Sequence, residues 1–330
     1  MNSFLSLVTN PFAENRSFAP ERPRSPLIVK APVYKASVGV APEPRPWEIW
    51  GAAYGGQNNT SGDLFIGSHD RSSRTWGFAT GLDYRVAPYT VVGFALGGGG
   101  TNFGLSDGLG GGHSDMFQGA VYSLTRVDAA YVSAALAYGW HRVSTDRNLT
   151  LPGADHLTAD FNANDVGGRI EGGYRFAIPS VFSLPGFGLS PYAAFQAQAF
   201  HMPSYTETAA SGMPFALAYA AHTTTTTRTE LGAWFDQYVV VDNNSVVTLR
   251  SRAAWAHDYW SDPSVAATFA SLPGTNFTVF GAAPARDSLL SSAIAEVSFR
   301  NGISLAGRFD SELARHSQTY IGTAVVRYTW

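Results

Sequence analysis

The chain has 330 residues, of which 14% are charged, against roughly 25% in an ordinary soluble protein; it holds 34 glycines, 13% aromatics and no cysteine. These figures exclude disulfide frameworks, cysteine-based zinc sites and thiol catalysis, and they are not those of a disordered chain. The net charge of −3 argues against general nucleic-acid binding, and with only two lysines, Lys30 and Lys35, the Glu/Lys surface of a helical enzyme is missing.

Residues 1–46 form a region of their own. Phe4, Leu5, Leu7, Val8 and Phe12 share one stripe of a short predicted helix, with Ser3 as its N-cap and Pro11 near its stop. Met1–Val8 has neither the basic start nor the apolar length of a signal peptide. Prolines then recur from Pro20 to Pro46, the composition of an extended linker. No apolar run reaches the roughly 18 residues of a membrane helix; Ala129–Trp140 comes nearest, flanked by Asp128 and His141.

From Trp47 onward the pattern has a period of two. Over residues 165–176 the odd positions read Asp165, Gly167, Arg169, Glu171, Gly173 and Arg175, and the even ones Val166, Gly168, Ile170, Gly172, Tyr174 and Phe176. One face is charged or small and the other apolar, which is a strand signature. About twelve such segments follow one another, near 47–57, 72–86, 90–103, 113–126, 130–144, 157–176, 190–202, 216–236, 246–260, 286–300, 302–312 and 317–330. Most reach the nine to eleven residues of a tilted membrane strand. Short connectors follow strands 2, 4 and 10, and longer ones are expected after strands 1, 3, 5, 7 and 9. Within the longest, Val265–Leu272 reads as a short helix and Asn276–Gly281 as a hairpin arm.

In lipid every backbone amide must be paired, so only helices and closed barrels can span. No helix qualifies, and an even number of antiparallel strands closes without an edge. The charges on one face then need a wet interior, because an arginine at mid-depth on the lipid face costs about 2–4 kcal/mol. Arg169, Glu171, Arg175, Arg228, Glu230, Arg250, Arg252, Arg308, Asp310 and Arg327 are the expected lumen lining. Trp47, Trp140, Trp255, Tyr259, Tyr328 and Trp330, near strand ends, suit interfacial girdles. The fold class is therefore all-β: a twelve-stranded antiparallel transmembrane β-barrel (residues 47–330), preceded by a helix and linker (residues 1–46) in or near the pore. A soluble sandwich would place its charges outside and use shorter, lysine-edged strands.

Several stretches, in order, carry a family resemblance: Trp50-Gly-Ala-Ala-Tyr-Gly-Gly-Gln57, Gly77-Phe-Ala-Thr-Gly-Leu-Asp-Tyr84, Ser114-Asp-Met-Phe-Gln-Gly-Ala120, Gly168-Arg-Ile-Glu-Gly-Gly-Tyr-Arg-Phe176, Arg228-Thr-Glu-Leu-Gly232, Ala253-Ala-Trp-Ala-His-Asp258 and the terminal Val326-Arg-Tyr-Thr-Trp330. Residues 47–330 resemble the autotransporter β-domain, the translocator of type V secretion, in its alphaproteobacterial versions. The resemblance implies an outer-membrane barrel with a helix threaded through its pore, here Ser3–Thr9 with Phe4, Leu5, Leu7 and Val8. It implies export of a covalently attached N-terminal passenger, which is expected to be absent from this chain. It implies a terminal strand read by the outer-membrane assembly machinery, carried here by Tyr320, Gly322, Val326, Tyr328 and Trp330. Outer-membrane lipid, no nucleic acid, no cofactor and a monomeric state complete the expectation. Alternatives are a porin-like barrel without a passenger, or an outer-membrane hydrolase.

No constellation makes a catalytic or metal site on sequence grounds. His257 and Asp258 are neighbours on a strand and point to opposite faces. His141 and Ser144 lack a third member. Gly97–Gly100 and Gly108–Gly112 lack the lysine and helix of a phosphate loop and read as hairpin loops. The eight histidines show no metal-ligand spacing.

Overall fold

The computed structural model describes residues 1–9, 46–62, 68–149, 155–178, 187–210, 215–241, 245–260, 264–272, 274–282 and 285–330. The sequence alternation becomes twelve long strands: β1 (Trp47–Thr60), β2 (Arg71–Ala87), β3 (Thr90–Leu105), β4 (Gly110–Val127), β5 (Ala130–Asn148), β6 (His156–Tyr174), β7 (Phe187–Met202), β8 (His222–Val240), β9 (Ser245–Trp260), β10 (Asp287–Phe299), β11 (Ile303–Ala314) and β12 (Ser317–Thr329). Each pairs antiparallel with its neighbour in sequence, and β1 pairs with β12 from Glu48↔Thr329 to Thr60↔Ser317. The sheet is thus a closed barrel, and closure removes its long edges.

Parity decides what each strand presents. Phe78, Phe94, Phe117, Val121, Leu136, Ile170, Phe195, Leu231, Leu289 and Phe309 are exposed on the outer surface. Such a belt of large apolar side chains suits lipid rather than water. Aromatic rings border it near one end, where Trp47 packs on Tyr84 (4.4 Å) and Tyr328 on Trp330 (5.6 Å). That end holds the tight turns at 88–89, 128–129 and 300–302. The opposite mouth holds the described parts of the connectors that follow β1, β5, β7 and β9. Among the described residues no helix is long and apolar enough to cross a membrane.

One helix, α1 (Asn2–Val8), lies inside the barrel beside β4, β5 and β6. Phe4, Leu5, Leu7 and Val8 are all buried there. Seven residues are too few for a stable isolated helix, so the barrel wall holds it. Met1, not Ser3, is its N-cap, and no side chain caps the start. Phe12, Pro11 and the expected linker up to residue 45 lie outside the described residues.

Four local expectations are corrected. The strand expected at 216–236 is two elements: Leu217–Tyr219 belongs to a small separate sheet and the barrel strand starts at His222. The alternation runs through both, so it cannot mark the break, where Ala220 N–H donates to the Ala266 carbonyl. Val265–Leu272 is not a helix: Ser264–Phe269 is a strand pairing with Leu217–Tyr219 on one side and Phe277–Phe280 on the other, its β-branched and aromatic residues satisfied by cross-strand partners. The connector after β3 is only residues 106–109, because Gly110–Gly112 extends β4; Asp107 and Gly108 supply the left-handed backbone of the turn, with φ of 62° and 68°. Gly97–Gly100 lies within β3 rather than in a hairpin loop.

Candidate functional site

The inner wall is built from two kinds of residue. Around α1 it is small and apolar: Ala52, Ala79, Ala95, Ala120, Ala135, Ala137 and Val325 form one buried cluster with Phe4, Leu5, Leu7 and Val8. Glycine makes room where the fit is tightest. A Cβ at Gly97 would sit 3.2 Å from the Phe4 ring, and one at Gly167 would sit 3.1 Å from Met1 Cγ and 3.3 Å from Leu5 Cδ1.

From β6 to β11 the wall is charged, and its charges are paired across strands. The Arg169 guanidinium donates to Glu171 (2.7 Å) and, with two nitrogens, to Glu230 (2.7 and 2.9 Å), which lies two strands away on β8. Arg252 lies 3.8 Å from Glu230 and 4.0 Å from Asp310, and Arg308 lies 2.6 Å from Asp310. This chain ends on the helix, where Arg308 Nη2 donates to Ser6 Oγ (2.9 Å). Opposite it, the Gln196 amide donates to Asn2 Oδ1 (2.7 Å). A second group joins Arg228 to Asp258 and Glu312, 2.6 Å each. A third crosses the closing seam: Arg327 lies 3.5 Å from Glu48 and 3.8 Å from Glu296, which accepts from Arg250 at 2.6 Å. Arg175, just past β6, pairs with Asp236 (2.6 Å).

Each of the ten charged residues singled out in the sequence therefore has an ionic partner. Asp258 lies on the lumen side, as its strand position implies, and four further partners were not singled out as lining: Glu48, Asp236, Glu296 and Glu312. Each lies on the inward parity of its strand, and that parity was the signal available. Toward the tight-turn end, Tyr131, Tyr192 and Trp234 fill the interior and donate to Glu171 (2.9 Å), Glu230 (3.2 Å) and Glu171 (3.3 Å). The lumen is thus packed and paired rather than an open tube. Between Met1 and the long-loop mouth it widens into a polar vestibule of about 600 Å³, lined by Tyr54, Asn58, Thr75, Gln198 and Arg228 among others.

The small sheet from the 203–221 and 261–286 connectors folds against this mouth. Tyr205 stacks on Phe161 (4.2 Å) and on Tyr219 (4.7 Å), and Glu207 accepts from Arg147 Nε (3.0 Å). Burial, and next the Glu207 carboxylate, push the Tyr219 phenol up to about 12, so it remains a donor to Glu207.

The histidines are divided between the faces. His257 pairs with Asp287 (2.8 Å) on the outer side, while Asp258 turns inward to Arg228. His141 lies inward, 3.3 Å from Asp165 and 3.4 Å from Ser114 Oγ; Ser144, three residues on, has the opposite parity. Among the described residues no cluster of His, Asp and Glu could hold a metal ion. The terminal strand β12 turns Tyr320, Gly322, Val326 and Tyr328 to the outer face, with Trp330 following it.

Solved structures share this architecture. The β domain of the Bordetella autotransporter BrkA aligns with a TM-score of 0.65 at 17% identity, covering 86% of this chain and 100% of that one. The translocator domain of NalP from Neisseria meningitidis aligns at 0.67 and 15% identity, covering 87% and 89%. The transport unit of AIDA-I from Escherichia coli aligns at 0.53 and 12% identity, covering 88% and 93%. At such identities the likeness concerns the fold. A search of curated proteins found no match. The family itself comes from the sequence: the model described as autotransporter beta-domain matches residues 49–310, from the first strand to the eleventh, and the chain belongs to that family of outer-membrane translocator barrels.

Proposed function

We propose that this chain is an outer-membrane translocator that anchors an N-terminal passenger and exports it to the cell surface, with residues 1–46 threading the pore and residues 47–330 forming the barrel. The observation that carries this reading is the placement of α1. Its Met1 end opens on the vestibule at the long-loop mouth, while the chain enters β1 at the tight-turn end. Any chain joined ahead of Met1 would leave through the long-loop mouth, which in an outer-membrane barrel faces outward. The paired lumen charges then serve as a hydrated wall past which a polar chain can slide without meeting an uncompensated cation.

The test is single-channel conductance in planar bilayers. The full chain is expected to conduct weakly, and removal of residues 1–46 is expected to open a stable ion path. Equal conductance in both would reject the threaded pore. The same reading assigns Tyr320, Gly322, Val326, Tyr328 and Trp330 to recognition by the assembly machinery, so Trp330→Ser should lower the heat-modifiable species in outer-membrane fractions. One chain completes the barrel through β1–β12 pairing, which supports a monomer; its mass in detergent checks this.

A further inference from the structure

Polar groups on the outer face near the long-loop mouth mostly have partners. His113 is 2.8 Å from Asn102 and 2.9 Å from Asp115, and Asp287 accepts from Trp255 and faces His257. Arg74 differs. It is exposed on the lipid-facing side of β2, in register with the neutral Gln57 on β1 and Asn102 on β3, and makes no hydrogen bond or ion pair among the described residues. A hollow of about 360 Å³ opens beside it, bounded by Gln57, Phe309, Tyr320 and Gly322.

From that hollow toward the tight-turn end the outer face of the seam is bare. Gly55 and Gly322 are opposite each other, then Ala53 and Ala324, with Gly307 beside Ala324 and Gly51 next along β1. A Cβ at Gly51, Gly307 or Gly322 would meet nothing within 4 Å, so packing within this chain does not demand glycine there. Trp76 and Phe78 rise on one side and Phe309, stacked on Tyr320 at 6.3 Å, on the other. The furrow from Gly55 to Gly51 spans about 13 Å of strand.

We propose that this seam holds one lipid of the outer leaflet that bears a phosphate monoester. The phosphate binds Arg74, the sugar or glycerol oxygens bond to Gln57 and Asn102, and an acyl chain lies in the bare furrow. The inference rests on the outer-membrane reading above. Charge complementarity selects the occupant. A guanidinium at the membrane surface without a carboxylate partner calls for an anion, and the furrow below it suits a flexible hydrocarbon. A choline lipid carries its own cation beside its phosphate and would not compensate Arg74.

The experiment uses the full chain in phosphatidylcholine vesicles doped with lipid A, extracted in mild detergent and weighed intact by native mass spectrometry. Heat-modifiable mobility scores folding separately. The wild type is expected to retain one lipid A in preference to phosphatidylcholine. Arg74→Gln should lower retention about tenfold. Gly307→Leu, which fills the furrow from open space, should lower it roughly threefold. Arg142→Gln removes another exposed outward arginine, one that faces Asp115 across the strands, and should leave retention unchanged.

Folded Arg74→Gln retaining lipid A like the wild type would overturn the proposal. So would equal retention of phosphatidylcholine, full displacement by excess inorganic phosphate, or a protein dimer abolished by Gly307→Leu in place of a bound lipid. A wild-type chain that fails to insert into vesicles would overturn the membrane reading itself, and this site with it.

Discussion

The two sides of the inner wall share one backbone geometry and put it to different uses. From β1 to β5 and at Gly167 on β6, the inward positions at the level of the helix include Ala52, Ala79, Ala95, Gly97, Ala120, Ala135 and Ala137. From β6 to β11 they are Arg169, Glu230, Arg252, Asp310 and Arg308. Strand pairing does not separate the sides, since both are long continuous antiparallel ladders. Side-chain volume does. The small side leaves the space that α1 occupies, and its contacts are apolar and without direction. The charged side ties distant strands to one another through bidentate pairs that fix geometry. One wall accommodates a segment and the other holds the barrel's shape. Altering the first should move the helix and altering the second should loosen the barrel.

The largest effect is expected on the charged side. Arg169 and Glu230 have side chains only 4% exposed each, so Glu230→Ala leaves Arg169 with Glu171 alone and removes the nearer acceptor from Arg252. Breaking a buried pair from one side costs about 3–5 kcal/mol. Equilibrium unfolding in guanidinium, followed by tryptophan fluorescence in detergent micelles, should show a loss of that size. Truncating both Arg169 and Glu230 to Met should cost less than Glu230→Ala. If Glu230→Ala is neutral, solvent screens these pairs and the proposed division of labour fails.

A smaller effect is expected on the apolar side, and it should depend on the helix. A side chain at Gly167 would strike Met1 and Leu5, while the nearest wall atom is the Ala197 carbonyl oxygen at 3.5 Å. Gly167→Val should cost about 1–3 kcal/mol in the full chain, the usual penalty of overpacking, and should raise conductance by pushing the helix aside. In a chain lacking residues 1–46 the same substitution should be nearly neutral. A penalty equal in both backgrounds would mean that the glycine serves the strand and not the helix.

The barrel was legible in the sequence because strand parity writes the two faces separately. Arg169, Glu171 and Arg175 alternate with Ile170, Gly172 and Tyr174, and no tertiary knowledge is needed to see which face is wet. Phe4, Leu5, Leu7 and Val8 were legible for the same kind of reason at helical spacing. Pairing was not legible. Arg169 meets Glu230 across β7 and Arg228 meets Glu312 across two strands, and alternation carries no information on which strands face each other through a lumen. The loop sheet was lost because Leu217–Tyr219 continues the alternation of His222–Val240, and because Ser264–Phe269 is short enough to read either way. Gly97–Gly100 of β3 suggested a loop because the contact of Gly97 with Phe4 of the helix joins segments far apart in sequence.

The finest distinction concerns the point where the two walls meet. Arg308 is shared: it pairs with Asp310 at 2.6 Å as part of the charged side, and it donates to Ser6 Oγ at 2.9 Å and to the Ser6 carbonyl at 3.5 Å. Ser6→Ala removes the hydroxyl and leaves Arg308 paired with Asp310, so the barrel's unfolding midpoint should not move. The helix should lose about 1–1.5 kcal/mol of its hold, raising the open-channel fraction roughly tenfold. Arg308→Ala should also raise it, and in addition it strips Asp310 of its nearest cation and so lowers the midpoint. The pair of variants separates what a single one confuses. If Ser6→Ala lowers the midpoint as much as Arg308→Ala does, helix and barrel unfold as one unit, and the small-residue wall is a core rather than a seat. If the midpoint holds and the pore opens more often, α1 is a detachable occupant, as export of a chain through the barrel requires.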